Sequence, residues 1–519
     1  MQKAKEKDKE KEKIAFFIRM FKFIELTQTE VDRGVNPGGH YKAIWARDAA
    51  FILKDQFLSG YYKIALEQIL VIWSNQIHST VTTTGREISS SPSLLDFSLK
   101  RKPLLYGRGS PEMNFNPIVA EENTKTKFDG ALPTTIYHEK KSFCEVYAQN
   151  PDIDSTALMI STTSYILSNL LDLRDVYANK ATEFSFTIPV NKNIDNEIKY
   201  ETSISELSLN DIIDLLIPSM LKALNYLQSR DIDNDGLLEQ KHNEDWMDTT
   251  LRIGKVVYSQ ACWILALKNF SILLKKFGNQ TESKRLEKMA NRTILAVEDK
   301  MWSAKDGCYV DLLDADLHLD EKMHNRLVTQ DISLYLVALT EDNKDSNYKY
   351  IDDKNMKEYS TKSEDYTNDI NSDIHQHALS TLEVLKKRAW KNNLPLVTEA
   401  EITKTGPWLL ETNEYHNHTF WLWITGIEML ARSRFGKIDD CNLLLSNIVS
   451  NSNVHSNILH EWVHPLTLQG RGAYPFRTGI SSMRITAMEF LSHIESNIIS
   501  SSFDNSKFLK SNNKNRSEL

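Results

Sequence analysis

The stretch Val256–Lys275, VVYSQACWILALKNFSILLK, returns apolar side chains every three or four residues, the period of an α-helix and not of a strand. The same period appears toward the N-terminus in Ile212–Gln228, Thr156–Leu173, Tyr62–Ile77 and Arg47–Leu58. Toward the C-terminus it recurs in Ser283–Asp299, Thr329–Leu339, Ile374–Lys391, Thr419–Ala431, Asp439–Ile448 and Ser482–Ile494. With Ile14–Leu26 this makes about twelve helices. Alternating runs are confined to Phe184–Ile188 and Lys199–Ser203, which read as a small β-hairpin insertion. The fold class is therefore all-α. Short and long connections alternate, as in six helical hairpins closed into an (α/α)6 toroid, although a bundle shares the helix count. The long excursions are Thr80–Asn150, read as partly site-building, and Glu341–Asp373, whose Asn343–Asp369 part has the composition of a solvated insertion.

The 519 residues, 41% of them hydrophobic, read as one large domain spanning 14–500, flanked by a charged segment at 1–13 and a polar tail at 501–519. A formal net charge of −8 argues against nucleic acid as partner. Cys144, Cys262, Cys308 and Cys441 are widely spaced, as expected of single thiols in a reducing compartment, the cytoplasm. No run of roughly 18 uninterrupted apolar residues suggests a membrane span. Ile14–Leu26 reads as a helix packed on the body, with a membrane-surface helix as the alternative.

Four clusters carry chemistry. In His40-Tyr41-Lys42-Ala43-Ile44-Trp45-Ala46-Arg47-Asp48, an aromatic ring precedes an adjacent cation and anion. Such a trio suits a sugar, whose hydroxyls take charged hydrogen bonds and whose C–H face lies on an aromatic ring. A surface ion pair beside a core tryptophan uses the same residues. Asp231-Ile232-Asp233-Asn234-Asp235-Gly236 opens like a calcium loop, but His242 stands where a bidentate Glu is required. Its Asx and glycine turn chemistry leads to Trp246-Met247-Asp248, a carboxyl near a large apolar ring, the environment that keeps a general acid protonated. A helix-capping Asp is the plainer alternative.

Glu414-Tyr415-His416-Asn417-His418-Thr419-Phe420-Trp421-Leu422-Trp423 gathers histidines and aromatics at a helix start. It fits a capped polar turn or a sugar platform better than a zinc site. Leu459-His460-Glu461-Trp462-Val463-His464-Pro465 contains a literal H-E-x-x-H. Pro465 removes His464 from helical conformation, so the zinc-peptidase reading fails on its own geometry. Glu461 remains as a positioned carboxylate suited to activating water. Asp248 and Glu461 thus form the pair that glycoside hydrolysis requires, one protonated and one ionised. No metal or other cofactor is needed.

Together the clusters resemble the six-hairpin glycosidases, particularly the glucoamylase family and the α-1,6-glucosidase domain of glycogen-debranching enzymes, from about Gly38 to Leu491. Ile44-Trp45-Ala46-Arg47-Asp48-Ala49 looks like the motif whose Arg and Asp hold the non-reducing glucose, which implies that role for Arg47 and Asp48. Gly130-Ala131-Leu132-Pro133 with Pro151-Asp152-Ile153-Asp154-Ser155 is similar to the segment entering the next helix and implies Asp154 in the sugar pocket. Trp246-Met247-Asp248 resembles the debranching pattern with Asp as general acid. Tyr415–Trp423 resembles a tyrosine-histidine-asparagine motif, departing from it at His418, Phe420 and Leu422. His460-Glu461 with Gly470 and Gly472 is similar to the stretch carrying the catalytic base. The resemblance implies an inverting hydrolase of α-glucosidic bonds in oligo- or polysaccharides, debranching or glucoamylase-like. Trp45, Arg47, Asp48, Asp154, Trp246, His416 and Trp421 would hold substrate. Alternatives are a small glucoside such as trehalose or glucosylglycerate as substrate, and a sugar epimerase using His416 with His464.

Overall fold

The computed structural model describes residues 17–77, 105–107, 128–137, 143–146, 150–176, 186–189, 204–241, 243–250, 252–313, 328–341, 364–402, 410–450 and 457–491. The predicted terminal segments, His242, Lys199–Ser203 and most of the two long excursions lie outside them. Among the described residues the chain forms twelve helices. In order they are α1 (17–27), α2 (Ala46–Leu58), α3 (Tyr62–Ser74), α4 (Ile153–Val176), α5 (Leu209–Gln228) and α6 (Val257–Lys276). The remainder are α7 (Gln280–Met301), α8 (Ser333–Leu339), α9 (Glu364–Ala389), α10 (Leu422–Arg434), α11 (Ile438–Ser450) and α12 (477–491).

Alternate helices touch in series. α2 packs on α4, α4 on α6, α6 on α8 and α8 on α10. α10 meets α12 closely enough that Ser482 Oγ donates to Trp423 O at 2.6 Å and Thr486 Oγ1 to Gly426 O at 2.8 Å. A Cβ on Gly426 would lie 2.5 Å from Ser482 Oγ. α12 returns to α2 through Arg484, whose Nε donates to both oxygens of Asp55 at 3.0 and 3.1 Å. These helices are buried nearly all round: on α10 even Glu428 and Arg432 have no exposed surface, and they pair with each other. The second set is amphipathic, each member covering one of the first. α3 covers α2, α5 covers α4, α7 covers α6 and α11 covers α10. α1 lies against α12, where Arg484 Nη1 donates to Ile24 O at 2.6 Å. Lys54, Glu489, Arg434 and Glu341 form a chain of ion pairs linking α2, α12, α10 and the end of α8.

Local sequence explains where elements begin. Ser208 and Asp211 cap α5 reciprocally, the side chain of each bonding the backbone N–H of the other. α6 is as long and apolar as a membrane span but is 94% buried inside the protein, so the body accounts for its composition. α1 packs through Met20 and Phe23, as the plainer reading held, while Ile18 and Phe21 face outward. All four cysteines are buried and none forms a disulfide.

Three expectations change. α9 begins at Glu364, ten residues before the predicted Ile374, so the end of the expected solvated insertion is helix. α12 begins at 477, five residues before the predicted Ser482. The first long excursion contributes short strands, and Thr135–Tyr137 pairs antiparallel with Ile44–Trp45. The predicted hairpin is present as Phe186–Pro189 paired with Ile204–Leu207, its second strand later than expected.

In the calcium-like loop, Lys255 Nζ sits 2.6 Å from both Asp233 and Asp235, and Lys300 also pairs with Asp235. An internal ammonium takes the position a cation would occupy, and despite burial the two lysines hold the Asp235 carboxyl at about 2.

Arg484→Met should strand the buried Asp55 carboxylate and cost about 3–5 kcal/mol. Urea denaturation measures this; a loss below about 1 kcal/mol would show that the α12–α2 junction does not depend on the pair.

Candidate active site

The first turns of α2, α10 and α12 and the turn before α6 open on one cavity. α2 supplies Arg47 and Asp48, with Trp45 from the preceding strand; the turn before α6 supplies Trp246 and Asp248. Tyr415, His416, Trp421 and Trp423 come from the start of α10, Phe476 and Thr478 from the start of α12, and Tyr41 and Glu461 from loops. Helix N-termini carry positive partial charge, which favours hydroxyl and carboxylate oxygens at this end.

Asp248 has an apolar collar. The Trp246 ring meets His416, Trp421 and Trp423 edge-on, at centroid separations of 5.0, 5.7 and 4.7 Å. Burial raises the Asp248 carboxyl to about 7; Arg47 opposes this, while Asp245, Glu461 and Asp154 add to it. The side chain keeps 29% of its surface exposed, so a ligand can reach it. Among the described residues its Oδ1 has no hydrogen-bond partner; it lies 3.7 Å from His416 Nδ1, which instead bonds Thr249 Oγ1 at 2.8 Å. Burial, with Arg47 and Arg252, pushes His416 well below its usual range and keeps the ring neutral.

Glu461 sits where a backbone hairpin wraps its own side chain. Its N–H donates to Ala473 O, and Ala473 N–H returns a bond to Glu461 Oε2, both at 2.9 Å. Oε1 accepts from Tyr41 at 2.7 Å and Tyr415 at 3.2 Å. Three donors therefore fix the carboxyl as an acceptor. Gly472, at φ 71°, makes this possible, because a Cβ there would lie 2.2 Å from Oε2. Tyr415 reaches Glu461 from the left-handed region, φ 47°, an unusual conformation for a bulky residue.

The floor is ionic. Arg47 Nη1 pairs with Asp154 Oδ2 at 3.1 Å, and the same oxygen accepts from Tyr258 at 3.1 Å. Asp48, buried beside Arg47, accepts from Thr478 Oγ1 at 2.6 Å. Burial raises the Asp48 carboxyl, against the pull of Arg47 and Thr478.

Of the residues the sequence singled out, Trp45, Arg47, Asp48, Trp246, Asp248, His416, Trp421 and Glu461 all line the cavity. Asp154 stands behind it, reaching it through Arg47. The sequence reading missed Tyr41, Tyr415, Trp423 and Thr478 as site residues, although each lay within or beside a quoted cluster. It also missed Arg252, which binds Asp245, Asp311 and Asp331, and for which no local signal exists. The H-E-x-x-H stretch is no zinc helix: Trp462–Val463 is a strand paired with Gly470–Arg471. His464 Nδ1 accepts from the backbone of Leu466 and Thr467. His418 bonds Thr398 O and does not line the cavity.

No protein-family model matches the sequence, and no curated protein is similar to it. Solved structures do resemble it. A GH63 mannosylglycerate hydrolase from Thermus thermophilus in complex with glucose has 14% identity and a TM-score of 0.51, over 90% of this chain and 98% of that one. The same hydrolase in complex with Tris gives 14% and 0.52, over 90% and 99%. A glycosidase variant in complex with glucose gives 10% and 0.50, over 92% and 98%. The chain has the fold of these glycosidases.

A carboxyl raised from its ordinary value to about 7 binds more protons folded than unfolded between about pH 4 and 7, so its ionisation erodes stability as pH rises through that window. Asp248→Asn removes the penalty and should be more stable than the wild type at pH 8, by about 2–4 kcal/mol, with little difference at pH 4. Denaturation curves across pH test this, and parallel curves would refute the raised carboxyl.

Proposed function

We propose that this protein is an inverting glycoside hydrolase that removes a terminal α-glucosyl unit, with the twelve helices forming an (α/α)6 toroid around the cavity. The observation that carries the reading is the contrast between Asp248, raised to about 7 by burial, and Glu461, held as an acceptor by three donors at the same cavity. Asp248 gives its proton to the glycosidic oxygen as the C1–O bond breaks. Glu461 takes a proton from water, whose oxygen forms the new bond to C1 from the opposite face. The products are an alcohol and the sugar with inverted anomeric configuration. Arg47, Asp48 and Thr478 offer charged and polar bonds to hydroxyls, and the tryptophans offer a face to the sugar's C–H bonds. Hydrolase neighbours of the same fold, two of them in complex with glucose, support the class.

A small glycoside such as glucosylglycerate is the substrate we favour over a branched glucan, the cavity being lined by aromatic rings together with a few charged groups. A mannosylglycerate hydrolase of this fold in complex with D-glycerate is in line with that choice. The epimerase alternative needs a second histidine opposite His416; His464 instead turns into its own loop, which favours hydrolysis.

Proton NMR of the protein with glucosylglycerate, trehalose, maltotriose, isomaltose and panose should show β-glucose appearing first from the true substrate, and none with Asp248→Asn. α-Glucose appearing first would refute inversion, and no glucose from any of them would refute the α-glucosidase reading. Gly472→Ala should cut kcat by about 10²-fold while the protein stays folded by circular dichroism, because the methyl group displaces the Glu461 carboxylate. Wild-type kcat in that variant would show that the backbone wrap does not position the base.

A further inference from the structure

Arg252 stands outside the cavity, yet three buried carboxylates converge on it. Its Nη1 lies 3.1 Å from Asp245 Oδ2 and 2.9 Å from Asp331 Oδ2, and its Nη2 lies 2.7 Å from Asp311 Oδ1. These carboxylates belong to three separate segments: the turn carrying Asp248, the residue just before the strand that pairs with Lys255–Val256, and the short turn that opens α8. Asp331 Oδ2 also accepts from Trp246 Nε1 at 2.7 Å, so one oxygen joins the guanidinium to the ring beside Asp248. Asp245 Oδ1 accepts from Met247 N at 2.9 Å, and Thr250 Oγ1 donates to Met247 O at 2.9 Å, which closes the turn from within.

We propose that Arg252 is a positioning residue for the proton donor, clamping the turn that carries Asp245 against Asp311 and Asp331 so that Trp246 and Asp248 face the cavity. This rests on the reading of Asp248 as the acid. Arg252 does not touch Asp248; it acts through Trp246 and the turn. A planar guanidinium can serve three carboxylates in different directions, whereas a lysine ammonium on a flexible stem cannot keep that fork. Three carboxylates on one guanidinium also leave negative charge in excess, and Asp245, the nearest to Asp248 in sequence, favours the protonated acid. Other charged or titratable groups facing Asp248 are Arg47 from α2, Asp154 from α4, Glu461 from its hairpin, and Tyr415 and His416 before α10.

The test compares the wild type with Arg252→Lys, and with the milder Asp331→Asn in case the lysine variant does not fold. Three readouts are needed: kcat and KM on an O-glycoside and on the corresponding glycosyl fluoride, whose leaving group departs without a proton; the alkaline limb of the pH–rate profile; and the Trp246 indole N–H resonance in ¹⁵N-tryptophan-labelled protein. Arg252→Lys should lower kcat on the O-glycoside by about 10²-fold with KM within about twofold. It should spare the fluoride by comparison, move the alkaline limb and shift the indole resonance. Asp331→Asn, whose amide oxygen can still accept from Trp246, should show the same pattern at about a tenth of the size. Equal losses on both substrates with the limb unmoved would reduce Arg252 to a structural role and overturn the proposal, as would an unshifted indole resonance. A wild type inactive on every glycoside would instead refute the functional reading, and the indole resonance would still decide whether Arg252 positions Trp246.

Discussion

Two buried guanidinium groups, Arg47 and Arg252, hold the floor of the cavity together. Between them they engage Asp154, Asp245, Asp311 and Asp331, and Asp48 lies beside Arg47. Burying a charge is costly, and a pair of buried charges seldom offsets its desolvation in stability alone. What such pairs do supply is direction. Arg47 ties α2 to α4, and Arg252 ties the turn of Asp248 to α8, so the side chains that reach the cavity inherit positions fixed by several helices at once. Removing either group would leave carboxylates facing one another; burial already raises Asp311 to about 6 with Arg252 in place.

The two faces of the cavity are built by opposite means. Asp248 lines the cavity together with the rings of Trp246, His416, Trp421 and Trp423, one of its oxygens has no partner among the described residues, and burial raises its carboxyl to about 7. Glu461 is surrounded by donors from two tyrosines and a backbone amide. Chemically identical carboxyl functions thus stand in opposite environments, one desolvated and the other rich in donors. The cost falls on the stability of the fold around Asp248, as is common where a site needs a group in an unfavourable state.

The helices were legible because burial writes a period into the sequence. α6 and α4 matched closely, and even boundary errors were small where apolar residues reached the end of the element. α9 failed at its start because Glu364–Asp373 carries mostly polar residues, and only Ile370 offers an aliphatic anchor before Ile374. The site clusters were legible because neighbouring residues in sequence face one cavity. Arg252 and Asp331 were not: 79 residues separate them, and neither stands in a local pattern. Tyr41 lay inside a quoted cluster, but its role depends on Glu461, 420 residues away. Pro465 correctly argued against the zinc helix, since it acts on the backbone locally, where sequence reasoning is strongest.

Lys255, lodged between Asp233 and Asp235, gives the loop ahead of the acid a counter-ion that is covalently part of the chain. A loop that borrows a divalent ion depends on the concentration of that ion around it and loses its shape to any stronger chelator. Here the positive charge arrives with the start of α6 itself, so the loop closes whenever that helix is in place. The shape of the segment leading to Asp248 thus draws on a positive charge that folding itself delivers.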